Sequence, residues 1–173
     1  MTPRAAYKMS RMFATCLLLA ALAVTSPQAA PDFSGRWAAD QAAAAGMGSG
    51  WGPSITVTQD TSRVTVEYVF FGRGDMQPPL RFVYALDGSE TKNSVMMGRG
   101  VQEQSSRAAW QGSTLVVTTT QPFTDPQTGK PATMTVTQAL TLESPATLIV
   151  ETTRSGVLGG PPSTSRTIYK KQP

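Results

Sequence analysis

Four polar side chains, Tyr68, Tyr84, Gln138 and Arg166, fall in phase with apolar residues that recur at every second position. A phenol, carboxamide or guanidinium turned toward an apolar interior needs a hydrogen-bond partner, because leaving it unpaired costs a few kcal/mol. A neighbouring side chain, a water or a bound molecule can each supply that partner. Several such groups facing one interior favour a pocket. Catalytic chemistry has less to draw on. The chain has no histidine, and its one cysteine is Cys16. That excludes Ser-His-Asp and Cys-His nucleophiles and most zinc or iron sites, so neither a metal nor another cofactor is expected. Among the carboxylates, Asp87 and Glu90 share a tight turn, while Glu67, Glu103 and Glu151 mostly take outward strand positions. Paired-carboxylate catalysis requires two acids flanking one cleft, and the sequence gives no reason to place them so. The residues point to a binding protein, not an enzyme.

The elements that must position these groups are strands. Thr, Val and Ser dominate short alternating runs broken by Gly, Pro, Asp and Asn. Ten strands are expected, at 33–38, 54–59, 63–71, 80–86, 90–97, 101–110, 114–120, 132–142, 147–154 and 164–170. Inward-facing sets include Val64, Val66 and Tyr68; Phe82 and Tyr84; Val136 and Leu140; Leu148 and Val150. Thr56, Glu67, Arg81, Thr137 and Glu151 take the opposite face, the outer face of a water-soluble barrel rather than a membrane one.

The connections alternate along the chain. Asp60-Thr61-Ser62, Asp87-Gly88-Ser89, Gln111-Gly112-Ser113 and Glu143-Ser144-Pro145-Ala146 are tight turns, and the loops between them are looser. In an up-and-down meander this gathers the tight turns at one end and the irregular chain at the other. The expected fold is all-β, an antiparallel up-and-down β-barrel of about eight to ten strands. Its inward residues are mostly Val, Leu and Tyr, with few bulky fillers, which favours a hollow interior.

Residues 1–30 read as a secretory signal peptide. Arg4, Lys8 and Arg11 precede an apolar run from Met12 to Val24, too short to span a bilayer. A single domain at 31–173 follows, exported to the periplasm or the extracellular space. Without the three basic residues of the signal, the fifteen Lys and Arg fall to twelve, against eleven Asp and Glu. That near-neutral balance gives no footprint for nucleic acid. With Cys16 removed, the mature domain is also disulfide-free.

Phe33-Ser34-Gly35-Arg36-Trp37 resembles the Gly-x-Trp opening of the calycin barrels, the lipocalins and the fatty-acid-binding proteins. The C-terminal segments LVVTTT, TMTVTQALTLE, TLIVETTRSG and STSRTIYKK are similar to the ending of the fatty-acid-binding proteins. The resemblance implies that the first and last strands are neighbours. It also implies that Trp37 plugs the closed end under Arg166 in a cation–π contact, with Gly35 allowing close backbone approach. That family holds a carboxylate with an Arg-x-Tyr pair on the last strand and an arginine on an earlier one. Here Arg166 and Tyr169 are three apart, on opposite faces, and the earlier inward position is Gln138, so the clamp is incomplete.

Arg73, Arg99 and Lys130 fall in loops at the open end. They form either a cationic rim that steers anionic or amphipathic molecules or ordinary solvated turn residues. Two functions follow from different classes. In one, the interior carries a small hydrophobic or amphipathic molecule. In the other, the barrel is filled, and the same loops dock a protein partner or an envelope component.

Overall fold

Alternation of apolar and polar residues resolves into strands wherever the chain is described. The computed structural model describes residues 30–40, 51–68, 80–97, 100–155 and 160–173. The expected signal segment, apart from Ala30, lies outside these residues, as do Arg73, Arg99 and the end of the expected third strand at 69–71. The ten strands are β1 Gly35–Ala39, β2 Ser54–Gln59, β3 Arg63–Tyr68, β4 Leu80–Ala85, β5 Glu90–Met97, β6 Gly100–Gln111, β7 Thr114–Thr124, β8 Pro131–Ser144, β9 Thr147–Arg154 and β10 Ser163–Lys171. Every expected strand is present. The largest difference is at β7, which runs four residues further toward the looser end, while β8 gains one residue at that end and two at the tight-turn end. No helix among the described residues is long and apolar enough to cross a membrane.

All pairings are antiparallel, in the order β4-β3-β2-β1-β10-β9-β8-β7-β6-β5. The first and last strands are neighbours, with Trp37 opposite Lys171 and Ala39 opposite Tyr169. The result is a nearly closed barrel whose outer face carries cross-strand ion pairs: Glu67 with Arg81 at 3.4 Å, Glu90 with Arg107 at 3.3 Å and Lys92 with Glu103 at 2.9 Å. Charges placed in water need no burial, so they mark the outside.

The seam lies at an unexpected place. Asp87-Gly88-Ser89 forms its turn, yet β4 and β5 are the two ends of the strand order and share no ladder. Asn93 on β5 spans the gap instead. Its Oδ1 accepts from the Val83 main-chain N–H at 2.7 Å, and its Nδ2 donates to the Val83 carbonyl at 3.1 Å. A carboxamide carries the same donor and acceptor as a peptide group, so one buried side chain stands in for a stretch of ladder.

The end with the tight turns is solidly filled. Phe33, Trp37, Leu115, Leu140 and Leu148 are buried there, and Phe33 stacks on Trp110 with ring centroids 5.7 Å apart. Gln59 ties the incoming chain down: its Oε1 accepts from Phe33 N–H at 3.1 Å, and its Nε2 donates to the Pro31 carbonyl at 2.8 Å.

Candidate functional site

Above this filled foot the lumen opens into a cavity of about 140 Å³. Three of the four expected ligand contacts, Tyr68, Tyr84 and Gln138, line it. Each arrives by strand parity. Tyr68 follows buried Val64 and Val66 on β3, Tyr84 follows Phe82 on β4, and Gln138 lies between Val136 and Leu140 on β8.

One wall is aromatic. The Tyr68 and Phe82 rings are nearly parallel, 5.7 Å apart with a 2° interplanar angle, and Phe82 and Tyr84 follow at 6.3 Å and 15°. Burial pushes the Tyr84 phenol well above its ordinary value, and hydrogen bonding from the Trp51 side chain acts weakly the other way. Burial raises the Tyr68 phenol too. Both are neutral at physiological pH. Trp51 is held against the barrel by Tyr169, whose hydroxyl donates to the main-chain carbonyls of Trp51 and Gly52. The inward tyrosine of the last strand thus anchors the chain that enters β2.

The opposite wall is polar. Gln104, Thr119, Gln121 and Gln138 line it together with Arg154. Thr119 and Ser106 share a hydrogen bond of 2.9 Å, and Gln121 donates to Gln104 at a long 3.4 Å. Arg154 lies directly across from Val136, and Gln138 directly across from Thr152. The fully buried Thr152 hydroxyl has no hydrogen-bond partner among the described residues. Arg154 was legible in the sequence. It continues the inward series Leu148, Val150, Thr152 by one more step of two, but a count of apolar residues stops at Val150. The inward run Gln104, Ser106, Ala108 of β6 is too polar for hydrophobic alternation to register.

Arg166 must be corrected on both expected roles. It projects outward, its side chain about half exposed, toward Glu143 at 4.0 Å and Glu151 at 3.8 Å. The buried residues of β10 are Thr167 and Tyr169, so Arg166 has the wrong parity to reach the lumen. It is also five residues from the strand position that faces Trp37, roughly 16 Å along the strand. The cation over Trp37 is Lys171, its Nζ 5.3 Å from the ring centroid.

Trp37 itself is buried at the foot, and its Nε1 donates to the Phe33 carbonyl at 2.9 Å. Gly35 has φ +143°, and a Cβ there would lie 2.7 Å from Lys171 Cε. The glycine makes room for the lysine stem crossing to the indole. Lys130 is exposed in the β7–β8 connection, at the end opposite the tight turns, and Asp125 N–H donates to its carbonyl at 2.9 Å. Arg73 and Arg99, its expected companions on the rim, lie outside the described residues.

No protein-family model matches the chain, and no curated protein or solved structure does either.

Proposed function

We propose that this protein is a carrier that holds one small amphipathic molecule in the upper half of its barrel. The observation that carries the reading is a lumen with a packed foot and a cavity of about 140 Å³ above it, aromatic on one side and polar on the other. A chain needing only structural stability would gain by filling that space, since each buried cavity costs dispersion contacts and transfer free energy. The calycin-like plan of Gly35 and Trp37 at the start, with the last strand closing on the first, supports the same reading. Export belongs to the proposal and rests on Arg4, Lys8 and Arg11 ahead of the apolar run. N-terminal sequencing of protein recovered outside the cytoplasm checks that part.

The test of carriage is direct. Purified protein is extracted with organic solvent and the extract examined by mass spectrometry, and the stripped protein is then titrated with small ring compounds while tryptophan emission is followed. Saturable binding, weakened by Gln138→Leu with Tyr84→Phe in a protein that keeps its far-UV spectrum, is the expected result. Absence of both a co-purified molecule and saturable binding would return the barrel to the structural or partner-docking class.

A further inference from the structure

We infer that the ligand is a small aromatic carboxylate, its ring laid on the Tyr68–Phe82–Tyr84 wall and its carboxylate held by Arg154; this rests on the carrier reading above. Size comes first. A cavity of about 140 Å³ is close to the roughly 150 Å³ known to accept one benzene ring. A long acyl chain does not fit it; a single substituted ring does. The wall agrees, because three mutually stacked rings line one side of the cavity, and an aromatic ligand gains from edge-to-face or offset contact with such rings.

Charge then selects the headgroup. Among the described residues, Arg63, Arg81, Arg107 and Arg166 each lie within ion-pair distance of an acid on the outer surface. Arg154, half-buried at the cavity, has no such acid among the described residues, and no described Asp or Glu lines the cavity with it. A guanidinium in partly desolvated surroundings calls for an anion, and its planar fork matches a carboxylate through two parallel hydrogen bonds.

Neighbouring groups complete the cradle. Arg154 and Gln138 are diagonal across β8 and β9, because Val136 faces Arg154 and Gln138 faces Thr152. Diagonal pairs on one face of a sheet lie within about 8 Å, inside the reach of long side chains. The Gln138 carboxamide is 4% exposed and pairs with no described residue, so its N–H is available to the same carboxylate. This arrangement uses β8 and β9. The last strand, which holds the carboxylate in the fatty-acid-binding proteins, here turns its arginine outward.

Benzoate and its neutral isostere benzamide separate the inference from the reading beneath it. Wild-type protein is expected to bind benzoate at least tenfold more tightly than benzamide by calorimetry. Arg154→Met should remove that preference, bringing the benzoate and benzamide affinities within twofold of each other. Arg154→Lys, which keeps the charge without the fork, should fall between. Equal affinities for the two probes, or a benzoate preference that survives Arg154→Met, overturns the anion site while leaving a carrier of neutral molecules. Failure of every ring compound to bind overturns the aromatic-carboxylate ligand, and together with the absence of any co-purified molecule it overturns the carrier reading as well. Should Arg154→Met not fold, the wild type still decides. Benzoate binding must weaken as the probe protonates in acid while benzamide binding holds, and parallel pH profiles refute the assignment.

Discussion

Lys171 and Arg166 occupy the same strand, five residues apart, and only one of them touches the indole at the foot of the barrel. Strand parity decides which. Trp37 faces Lys171 in register, whereas Arg166 shares the outer face with Glu151. An exposed cation over an indole contributes about 0.5–1 kcal/mol, and an exposed ion pair between half-solvated side chains contributes at most about as much. Lys171→Met is therefore expected to lower the urea midpoint by the equivalent of about 0.5–1 kcal/mol, and Arg166→Met by less than about 0.5 kcal/mol. The reverse order would return Arg166 to the plug. Gly35→Ala should cost more, about 1–3 kcal/mol, because φ +143° is a conformation that residues with a Cβ adopt only under strain and because the new methyl displaces the Lys171 stem. Denaturant unfolding of the same series checks it, and a glycine that accepts alanine freely would show that the local backbone relaxes. The resemblance to the calycin opening points to Trp37 and Gly35 as foot residues, while it misassigns their cation. A motif names residue types, and the choice between Arg166 and Lys171 depends on a register that only the folded β1–β10 ladder sets.

Between strands, the alternating pattern located all ten elements yet missed how two of them meet. The turn Asp87-Gly88-Ser89 carries ordinary hairpin chemistry, and Asp87 Oδ1 accepts from Ser89 N–H at 2.9 Å. Periodicity predicts faces, not ladders, so it could not show that β4 and β5 part after their turn and are rejoined by one side chain. Asn93→Ala removes both of its bonds to Val83 and leaves a main-chain donor and acceptor unpaired, which should cost about 2–3 kcal/mol. Amide exchange at Val83 should accelerate more than exchange at Val117, inside the continuous ladder. Uniform acceleration across the barrel would mean that the seam is held elsewhere. The turns themselves carry the acid sensitivity. Hydrogen bonds from Ser62, Ser89 and Thr128, with nearby main-chain N–H groups, hold Asp60, Asp87 and Asp125 below the ordinary aspartate value of 3.8. A carboxylate lowered by folding stabilises the native state above its unfolded value, and that contribution disappears as pH falls through the folded value. Stability should therefore decline below about pH 4, and Asp60→Asn should make the decline shallower. A stability difference between Asp60→Asn and wild type that stays constant from pH 6 to about pH 2.5 would remove Asp60 from the acid limb.

At the scale of the whole barrel, the chain divides into a filled foot and a hollow top, and the groups that titrate within its walls respond at alkaline pH. With no histidine, nothing in the described structure changes charge between the carboxylate range and the phenol range, so stability should be nearly flat from about pH 5 to pH 9. Above that, the cavity wall itself opposes the fold. Burial raises the Tyr84 and Tyr68 phenols above their ordinary value of 10.0, while the unfolded chain ionises them normally. A phenol whose folded value lies above its unfolded one favours folding equally at every pH below about 10 and progressively loses that contribution as pH rises. For a fully buried group the loss approaches about 1.4 kcal/mol per pH unit. Tyr84 supplies most of it, since Tyr68 keeps partial contact with solvent. Urea unfolding between pH 8 and about pH 11.5 should show a falling midpoint in the wild type. Tyr84→Phe should be less stable than wild type at neutral pH if its indole contact matters, yet fall less steeply in alkali, so that the two curves converge. Parallel curves would mean that the phenol meets water in the native state and that the upper lumen is already open to solvent. That outcome would remove the dry aromatic wall on which a bound ring depends.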